Sequence, residues 1–146
     1  MKDMAELSEQ AVRAAKFWAL KLDYSPESVE DVDVLAQKIL LQHLRKPLPE
    51  DILRGLAELY GAYLGEVLLR RGLGDLGFAW AENGEGETGI RLGDTWMAPA
   101  TLVYRRFTRE TEPSLINGFE YMFRLAIGAL TTNVLPTYTL SGEEAI

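Results

Sequence analysis

The sequence of 146 residues contains no cysteine and only one histidine, His43. The absence of cysteine excludes disulfides, thiolate nucleophiles and metal sites built on thiolates. A single imidazole excludes zinc sites with two histidine ligands, and no Gly-x-Ser-x-Gly motif supplies a nucleophile beside it. We therefore expect no metal and no cofactor, and we favour a protein that is not an enzyme. We interpret His43 as a partly buried residue facing the last carbonyls of a helix.

Long hydrophobic runs are also missing. No uncharged apolar stretch approaches the ~20 residues that a membrane-spanning helix needs. Residues 1–6 lack the apolar segment that follows a basic start in a secretory signal peptide. We therefore expect a cytoplasmic protein without a membrane partner.

Positive charge is scarce, because 15 Lys and Arg residues face 22 Asp and Glu residues, giving a net charge of −7. An acidic surface repels phosphate backbones, so we expect no nucleic-acid partner. The only basic cluster with an aromatic residue inside it is Arg-Arg-Phe-Thr-Arg, residues 105–109. We interpret this cluster as a solvated face, or as partners for acidic residues elsewhere in the chain.

The remaining composition, 47% hydrophobic and 25% charged, is typical of a globular protein, and the length fits a single domain over residues 1–146. Apolar residues at intervals of three and four predict three N-terminal helices. The first covers residues 3–22, the second begins at Pro26 or Ser28 and ends at Leu44, and the third covers residues 49–71. Ser28 is a candidate cap for the second helix.

Short segments separated by glycines follow the third helix. Alternating apolar residues between 76 and 97 predict a small antiparallel β-meander. Pro99 begins a predicted short helix through Phe107, with a third strand as the alternative, and Pro113 begins a final helix to about residue 130. We expect the tail, residues 131–146, to be extended or loosely packed. The sequence therefore predicts an α+β fold with one or two C-terminal helices.

Two glycine-rich segments, residues 72–77 and 84–89, match the Gly-x-Gly-x-x-Gly pattern of dinucleotide-binding loops. That pattern requires a strand before the loop and a helix after it. Here a predicted helix precedes the first segment and a predicted strand follows it, and acidic residues lie inside both. We interpret the first segment as a helix stop with a turn, and the second as a mobile hairpin loop.

Within the third predicted helix, Gly61 and Gly65 lie four residues apart. A glycine within a helix costs ~1 kcal/mol relative to alanine, so close packing against the exposed backbone should offset this cost. A neighbouring helix or the meander is the simplest occupant. The alternative is that this stripe forms the floor of a ligand cleft. Its candidate lining residues are Tyr63, Glu66, Trp80 and Arg105.

If Glu66 is buried, its pKa would rise unless an arginine pairs with it. Arg91, Arg105 and Arg106 are the candidate partners, and the sequence does not choose between them.

Several of these segments together resemble a bacterial domain family of unknown function. The residues that carry the resemblance are Asp-Tyr-Ser-Pro-Glu-Ser at 23–28, Asp33, Gly-Ala-Tyr-Leu-Gly-Glu-Val at 61–67, Trp80, Pro99 and Val-Tyr-Arg-Arg at 103–106. The resemblance covers residues 23–123 and implies a compact α+β protein whose glycine-containing central helix leads into a short sheet. It implies no assigned activity, although some similar small acidic domains are associated with toxin immunity. Residues 73–77 depart from the pattern, which has a shorter glycine turn.

Two functional hypotheses follow. The first is a non-enzymatic protein-binding module that, like an immunity protein, uses an acidic surface to neutralise a basic protein partner. The second is a small-molecule-binding protein, or a weak hydrolase, with its site in a cleft beside Gly61 and Gly65. Self-association as a homodimer is a third hypothesis.

Overall fold

A computed structural model describes residues 1–134 of the chain. Within that range the fold is α+β, as the sequence predicts, with five α-helices and a three-stranded antiparallel sheet. The elements, in chain order, are α1 (Met4–Ala15), α2 (Val29–Arg45), α3 (Glu50–Leu68), β1 (Ala79–Glu82), β2 (Thr88–Leu92), β3 (Thr95–Met97), α4 (Pro99–Thr108) and α5 (Leu115–Val134). Residues 131–134 continue α5, and the rest of the predicted tail lies outside the described residues.

The first helix is shorter than the sequence predicts. After α1, residues Lys16–Trp18 form a single 3₁₀ turn, and Ala19 adopts a left-handed conformation with φ 58° that stops the helix. The reversal directs Leu22 into the core, whereas Trp18 remains 45% exposed. The apolar periodicity across residues 16–22 therefore reflects core contacts made by a folded-back segment rather than one continuous helix.

Both ends of α2 differ from the predicted arrangement. The side chain of Ser25, not that of Ser28, caps the preceding 3₁₀ turn by accepting a hydrogen bond from the Ser28 N–H. At the other end, His43 Nδ1 accepts a hydrogen bond from the Leu48 N–H at 2.9 Å. The prediction that His43 faces helix carbonyls is therefore wrong, because the imidazole acts as an acceptor that fixes the connection between α2 and α3.

Helix α3 is the central element of the fold and packs against α1 and α4. Its residues from Tyr60 to Gly65 are all buried, so the helix is surrounded over this stretch. A π-helical turn, Leu69–Leu73, follows it, and Gly72 with φ 135° ends that turn. A positive φ of this size favours glycine, which explains the predicted stop at this position.

The sheet is a meander in the order β1-β2-β3, as predicted. Trp80 pairs with Ile90, and Ile90 pairs with Met97 in the next strand. Ile90 is fully buried, so the sheet turns this position toward the helices. Gly93, with φ 59°, lies in the turn between β2 and β3.

The segment after the sheet is a helix, as predicted, and not the strand that the sequence left as an alternative. Pro99 occupies the first turn of α4, where its fixed φ suits a helix start. The final helix begins at Leu115, two residues after the predicted Pro113. The Leu115 N–H donates to the Asp33 carboxylate on α2 at 2.9 Å, which anchors the start of α5. No helix in the described part of the chain is both long and apolar enough to cross a bilayer.

Candidate functional site

A cavity of about 460 Å³ lies beside α3, at the first turn of α4 and the loop between β1 and β2. Its lining combines glycine and alanine with one indole, two threonines and several charged side chains. The lining residues are Met4, Arg54, Ala57, Glu58, Gly61, Trp80, Gly86, Glu87, Thr88, Ala98, Ala100, Thr101, Tyr104, Arg105 and Arg109.

Gly61 brings α4 to the edge of this cavity. A Cβ built on Gly61 would lie 2.5 Å from the Cα of Ala100 and 2.7 Å from its backbone nitrogen. The first turn of α4 therefore contacts the bare backbone of α3 directly. This close approach explains the mid-helix glycine and places the following turns of α4 along the cavity wall.

Gly65 has the same function for the indole of Trp80, whose ring atoms occupy the space that a Cβ at position 65 would need. The Trp80 Nε1–H donates to Glu66 Oε2 at 2.8 Å. Packing and this hydrogen bond together fix the ring, so Trp80 forms a preorganised aromatic wall of the cavity.

The partner of Glu66 is Arg70, one turn further along the chain, with 3.7 Å between Arg70 Nη2 and Glu66 Oε1. The guanidinium of Arg70 also stacks on the ring of Tyr24, 3.6 Å from its centroid. None of the three arginines considered from the sequence forms this pair. The three candidates considered from the sequence all required tertiary contacts. The i,i+4 spacing of Glu66 and Arg70 is the local signal that would have identified Arg70 as the partner.

The structure places the four predicted site residues in three different positions relative to the cavity. Trp80 and Arg105 line the cavity, while Glu66 lies behind Trp80 and orients it. Tyr63 does not line the cavity, because its hydroxyl is buried on another side of α3. That hydroxyl lies 2.6 Å from Ser28 Oγ and accepts a hydrogen bond from the Tyr24 N–H at 2.7 Å.

Burial raises the pKa of the Tyr63 hydroxyl, although its hydrogen bonds act in the opposite direction. This neutral hydroxyl makes two hydrogen bonds in the core, and they hold the segment before α2 against α3. Tyr63 is therefore a structural residue of the core in this fold.

The basic cluster at residues 105–109 is split between two environments. Arg106 is buried, and its Nε donates to Asp33 Oδ1 at 2.9 Å. Arg105 and Arg109 instead line the cavity. Of the two options that the sequence left open for this cluster, pairing with an acidic residue elsewhere in the chain is confirmed for Arg106, whereas Arg105 and Arg109 are exposed. The spacing of four between Arg105 and Arg109 is a sequence signal that would have placed both on one helix face.

A second polar group at the cavity edge combines α3 and α4. The Tyr104 hydroxyl donates to the Glu50 carboxylate at 2.8 Å, and Arg54 forms a salt bridge with Glu50 at 2.7 Å. The hydrogen bond to Glu50 raises the pKa of Tyr104, since ionisation would place two negative charges together. The sequence reasoning missed Tyr104 and Arg54, because their contact depends on how α4 crosses α3.

The cavity lining combines an aromatic ring with hydroxyl and charged groups. Its lining offers an indole face, hydroxyl groups and guanidinium groups, and none of its residues is a histidine or cysteine. Among the described residues, no group of three or more His, Cys, Asp or Glu side chains is arranged to hold a metal ion.

A second, smaller groove of about 150 Å³ lies between α2 and α3. Its lining is almost entirely apolar and consists of Trp18, Leu35, Ile39, Gln42, Leu48, Ile52, Leu56 and Tyr60. Phe17, the neighbour of Trp18 in sequence, is 92% exposed.

Comparison with known proteins gives no assignment: no protein-family model, curated protein or solved structure matches the chain significantly. The resemblance to a bacterial domain family of unknown function therefore stays a prediction. Functional inference has to start from the cavity itself.

Proposed function

We propose that this protein binds a small molecule in the cavity beside Gly61. The observation that carries the proposal is the cavity of about 460 Å³, which lies within the range of ~300–1,000 Å³ that is usual for ligand sites. The cavity lies beside Gly61, and its lining includes Trp80 and Arg105, two of the four residues considered from the sequence.

The fixed position of Trp80 supports this proposal. Its ring is packed on Gly65 and hydrogen-bonded to Glu66, so a ligand stacked against it would lose little energy in ordering the side chain. Preorganisation of this kind increases affinity by lowering the entropic cost of binding. We propose binding rather than hydrolysis, because the lining offers no nucleophile with an adjacent base.

A thermal-shift screen with a library of metabolites tests the proposed site. A ligand at 100 times its dissociation constant should add ~2.7 kcal/mol to the free energy of unfolding. The variant Thr101→Trp places an indole at an exposed lining position and should abolish the shift. The matched variant Thr111→Trp, at an exposed position outside the lining, should retain it. The proposed site would be contradicted if no compound stabilised the wild-type protein, or if a compound stabilised Thr101→Trp as much as Thr111→Trp.

A protein-binding module is the second candidate function, and the exposure of Phe17 and Trp18 beside an apolar groove favours it. Exposed aromatic residues are typical of protein interfaces. The net charge of −7 favours a basic partner, as in an immunity-like role.

A pull-down from the native host at low salt tests this second function. The wild-type chain should recover one basic protein that a Phe17→Ser, Trp18→Ser double variant does not recover. Recovery of no protein, or equal recovery by both chains, would count against the binding module.

A further inference from the structure

Two cationic side chains in the wall of the cavity have no ionic partner among the side chains that the structure describes. Arg105 lies on α4, and Arg109 directly follows the end of that helix, one turn further along. Both line the cavity and both are exposed. Within residues 1–134, neither guanidinium forms a salt bridge, a side-chain hydrogen bond or a cation–π contact.

The other charged side chains of the lining are already engaged. Arg54 forms a salt bridge with Glu50 at 2.7 Å, and Glu58 forms one with Lys2. The Glu87 carboxylate accepts a hydrogen bond from an asparagine side chain at 2.8 Å. An asparagine amide is neutral, so Glu87 keeps its negative charge. Glu87, Arg105 and Arg109 are therefore the lining residues whose charge no described salt bridge compensates, and their sum is positive.

This local excess is unusual for the chain in which it occurs. The protein carries 22 acidic residues against 15 basic ones, so carboxylate partners are abundant. The buried Arg106, between the two cavity arginines, has such a partner in Asp33 at 2.9 Å. Arg105 and Arg109 instead both line a cavity that is large enough for a ligand.

We propose that the ligand of this cavity is a small molecule with a carboxylate or phosphate group, which Arg105 and Arg109 bind, and with a planar or apolar part that contacts Trp80. This proposal rests on the proposed small-molecule site and names its ligand class. The planar guanidinium presents paired N–H donors that match the oxygens of a carboxylate or phosphate, which makes arginine well suited to such an anion.

Three probes with the same aromatic ring separate charge from shape: phenyl phosphate, benzoate and the neutral benzamide. Their binding can be followed by NMR through the indole N–H signal of Trp80, which hydrogen-bonds to Glu66. The variant Trp80→Phe assigns that signal among the three tryptophans of the chain. We expect both anions to shift it at concentrations about ten-fold lower than benzamide requires, since charge-assisted hydrogen bonds are the stronger ones.

The double variant Arg105→Gln, Arg109→Gln should reduce the affinity for both anions about ten-fold or more, to the level of benzamide, and leave benzamide binding unchanged. The double variant Arg105→Lys, Arg109→Lys retains the charge and should retain part of the anion preference. The control Arg13→Gln, at an exposed arginine outside the lining, should behave as wild type. The relative affinity for phenyl phosphate and benzoate identifies which anion the site prefers.

If benzamide bound as tightly as the anions, and Thr101→Trp abolished that binding, the anion proposal would be overturned and the small-molecule site would remain. The same holds if none of the three probes shifts the Trp80 signal while the metabolite screen stabilises the protein through the cavity. An anion preference that survives the double glutamine variant would also overturn the assignment to Arg105 and Arg109.

Discussion

Asp33 joins three elements of the fold through one buried carboxylate. Its Oδ1 accepts hydrogen bonds from Arg106 on α4 and from the N–H of Leu115 at the start of α5, both at 2.9 Å. Its Oδ2 accepts one from Gln37 at 3.0 Å. Burial alone would raise the pKa of Asp33, but the hydrogen bonds from Arg106, Leu115 and Gln37 outweigh it, so the pKa is lowered.

Replacing Asp33 by Asn should destabilise the protein by ~3–5 kcal/mol, because it leaves the buried Arg106 without its counter-charge. Urea denaturation measures this loss. The same substitution at the exposed Asp75 should change the free energy of unfolding by no more than ~0.5 kcal/mol. A loss at Asp33 that is no larger than this would show that the buried pair contributes little.

The lowered pKa of Asp33 also determines how its contribution to the free energy of unfolding changes with pH. The folded-state pKa lies below the ordinary value of 3.8, so the ionised carboxylate stabilises the fold fully above that value. The contribution should disappear as the pH falls through the folded-state pKa. The stability difference between wild type and Asp33→Asn should therefore narrow below pH 3.8. A difference that stays constant down to full acid unfolding would contradict this.

Tyr60 sets a limit on stability at the alkaline end, because burial raises its pKa from 10.0 to about 12. The unfolded chain ionises at the lower value, so unfolding becomes more favourable as the pH rises above 10.0. Between the two pKa values this residue should remove ~2–3 kcal/mol of stability at 1.36 kcal/mol per pH unit. Urea denaturation from pH 9 to pH 11 should show a smaller loss for Tyr60→Phe. The matched variant Tyr121→Phe, at an exposed site, should keep the wild-type loss.

Among the elements, α3 shows most directly how composition determines packing. Its glycines at 61 and 65 lie under Ala100 and Trp80, whereas Gly55 on the same helix has no neighbouring atom within 4 Å of its Cβ position. The sequence alone treats all three as unfavourable helix residues. Only the positions that contact another element can offset the conformational cost of glycine.

This contrast makes a matched pair of alanine substitutions informative. Gly61→Ala should destabilise the protein by ~1–3 kcal/mol, because the added methyl would meet the backbone of Ala100, which cannot move as a side chain can. Gly55→Ala should instead stabilise it by ~0.5–1 kcal/mol through helix propensity. Thermal or urea unfolding measures both. Two changes of the same sign would contradict the close packing of α3 and α4.

The limits of α1 and α4 illustrate what periodicity leaves undecided in single elements. Apolar spacing predicts a helix through residue 22, yet the chain turns at Ala19, where φ is 58°. Local sequence carries no strong signal for that turn, because alanine is a good helix former. For α4, in contrast, Pro99 at the helix start was sufficient to favour helix over strand.

At the scale of the whole fold, the second half of α3 is surrounded by other elements, whereas the loop between β1 and β2 is exposed. Residues 60–65 of α3 are buried, and residues 84–87 of the loop are exposed. We expect amide hydrogen exchange to be slowest in the second half of α3 and at least ~1,000-fold faster in the loop, since local opening there needs little free energy. Mass spectrometry or NMR measures this difference. Equal protection in both segments would contradict the central position of α3.

The sequence predicted only part of the candidate site. The glycines were predicted to pack against a helix or the meander, and Ala100 at Gly61 and Trp80 at Gly65 confirm this. Of the residues predicted for the alternative cleft, Trp80 and Arg105 line the cavity. Tyr63 was assigned to the cleft because it is next to the glycines in sequence, but successive helical residues face directions ~100° apart. Its side chain consequently points at Ser28 and Tyr24. The homodimer and the basic partner stay predictions that no described contact tests.

The sequence by itself determined the helical and strand segments, their order and the need for close packing on α3. These properties are encoded locally, in apolar periods, helix-starting prolines and glycines. The tertiary structure alone decided that Asp33 pairs with Arg106, that Glu66 orients Trp80 and that two arginines face a cavity without carboxylate partners. Asp33 and Arg106 are 73 positions apart, so nothing in the local sequence of either residue specifies the other. Such pairs form only when the packing of whole helices brings distant side chains together, and the candidate ligand site depends on that packing.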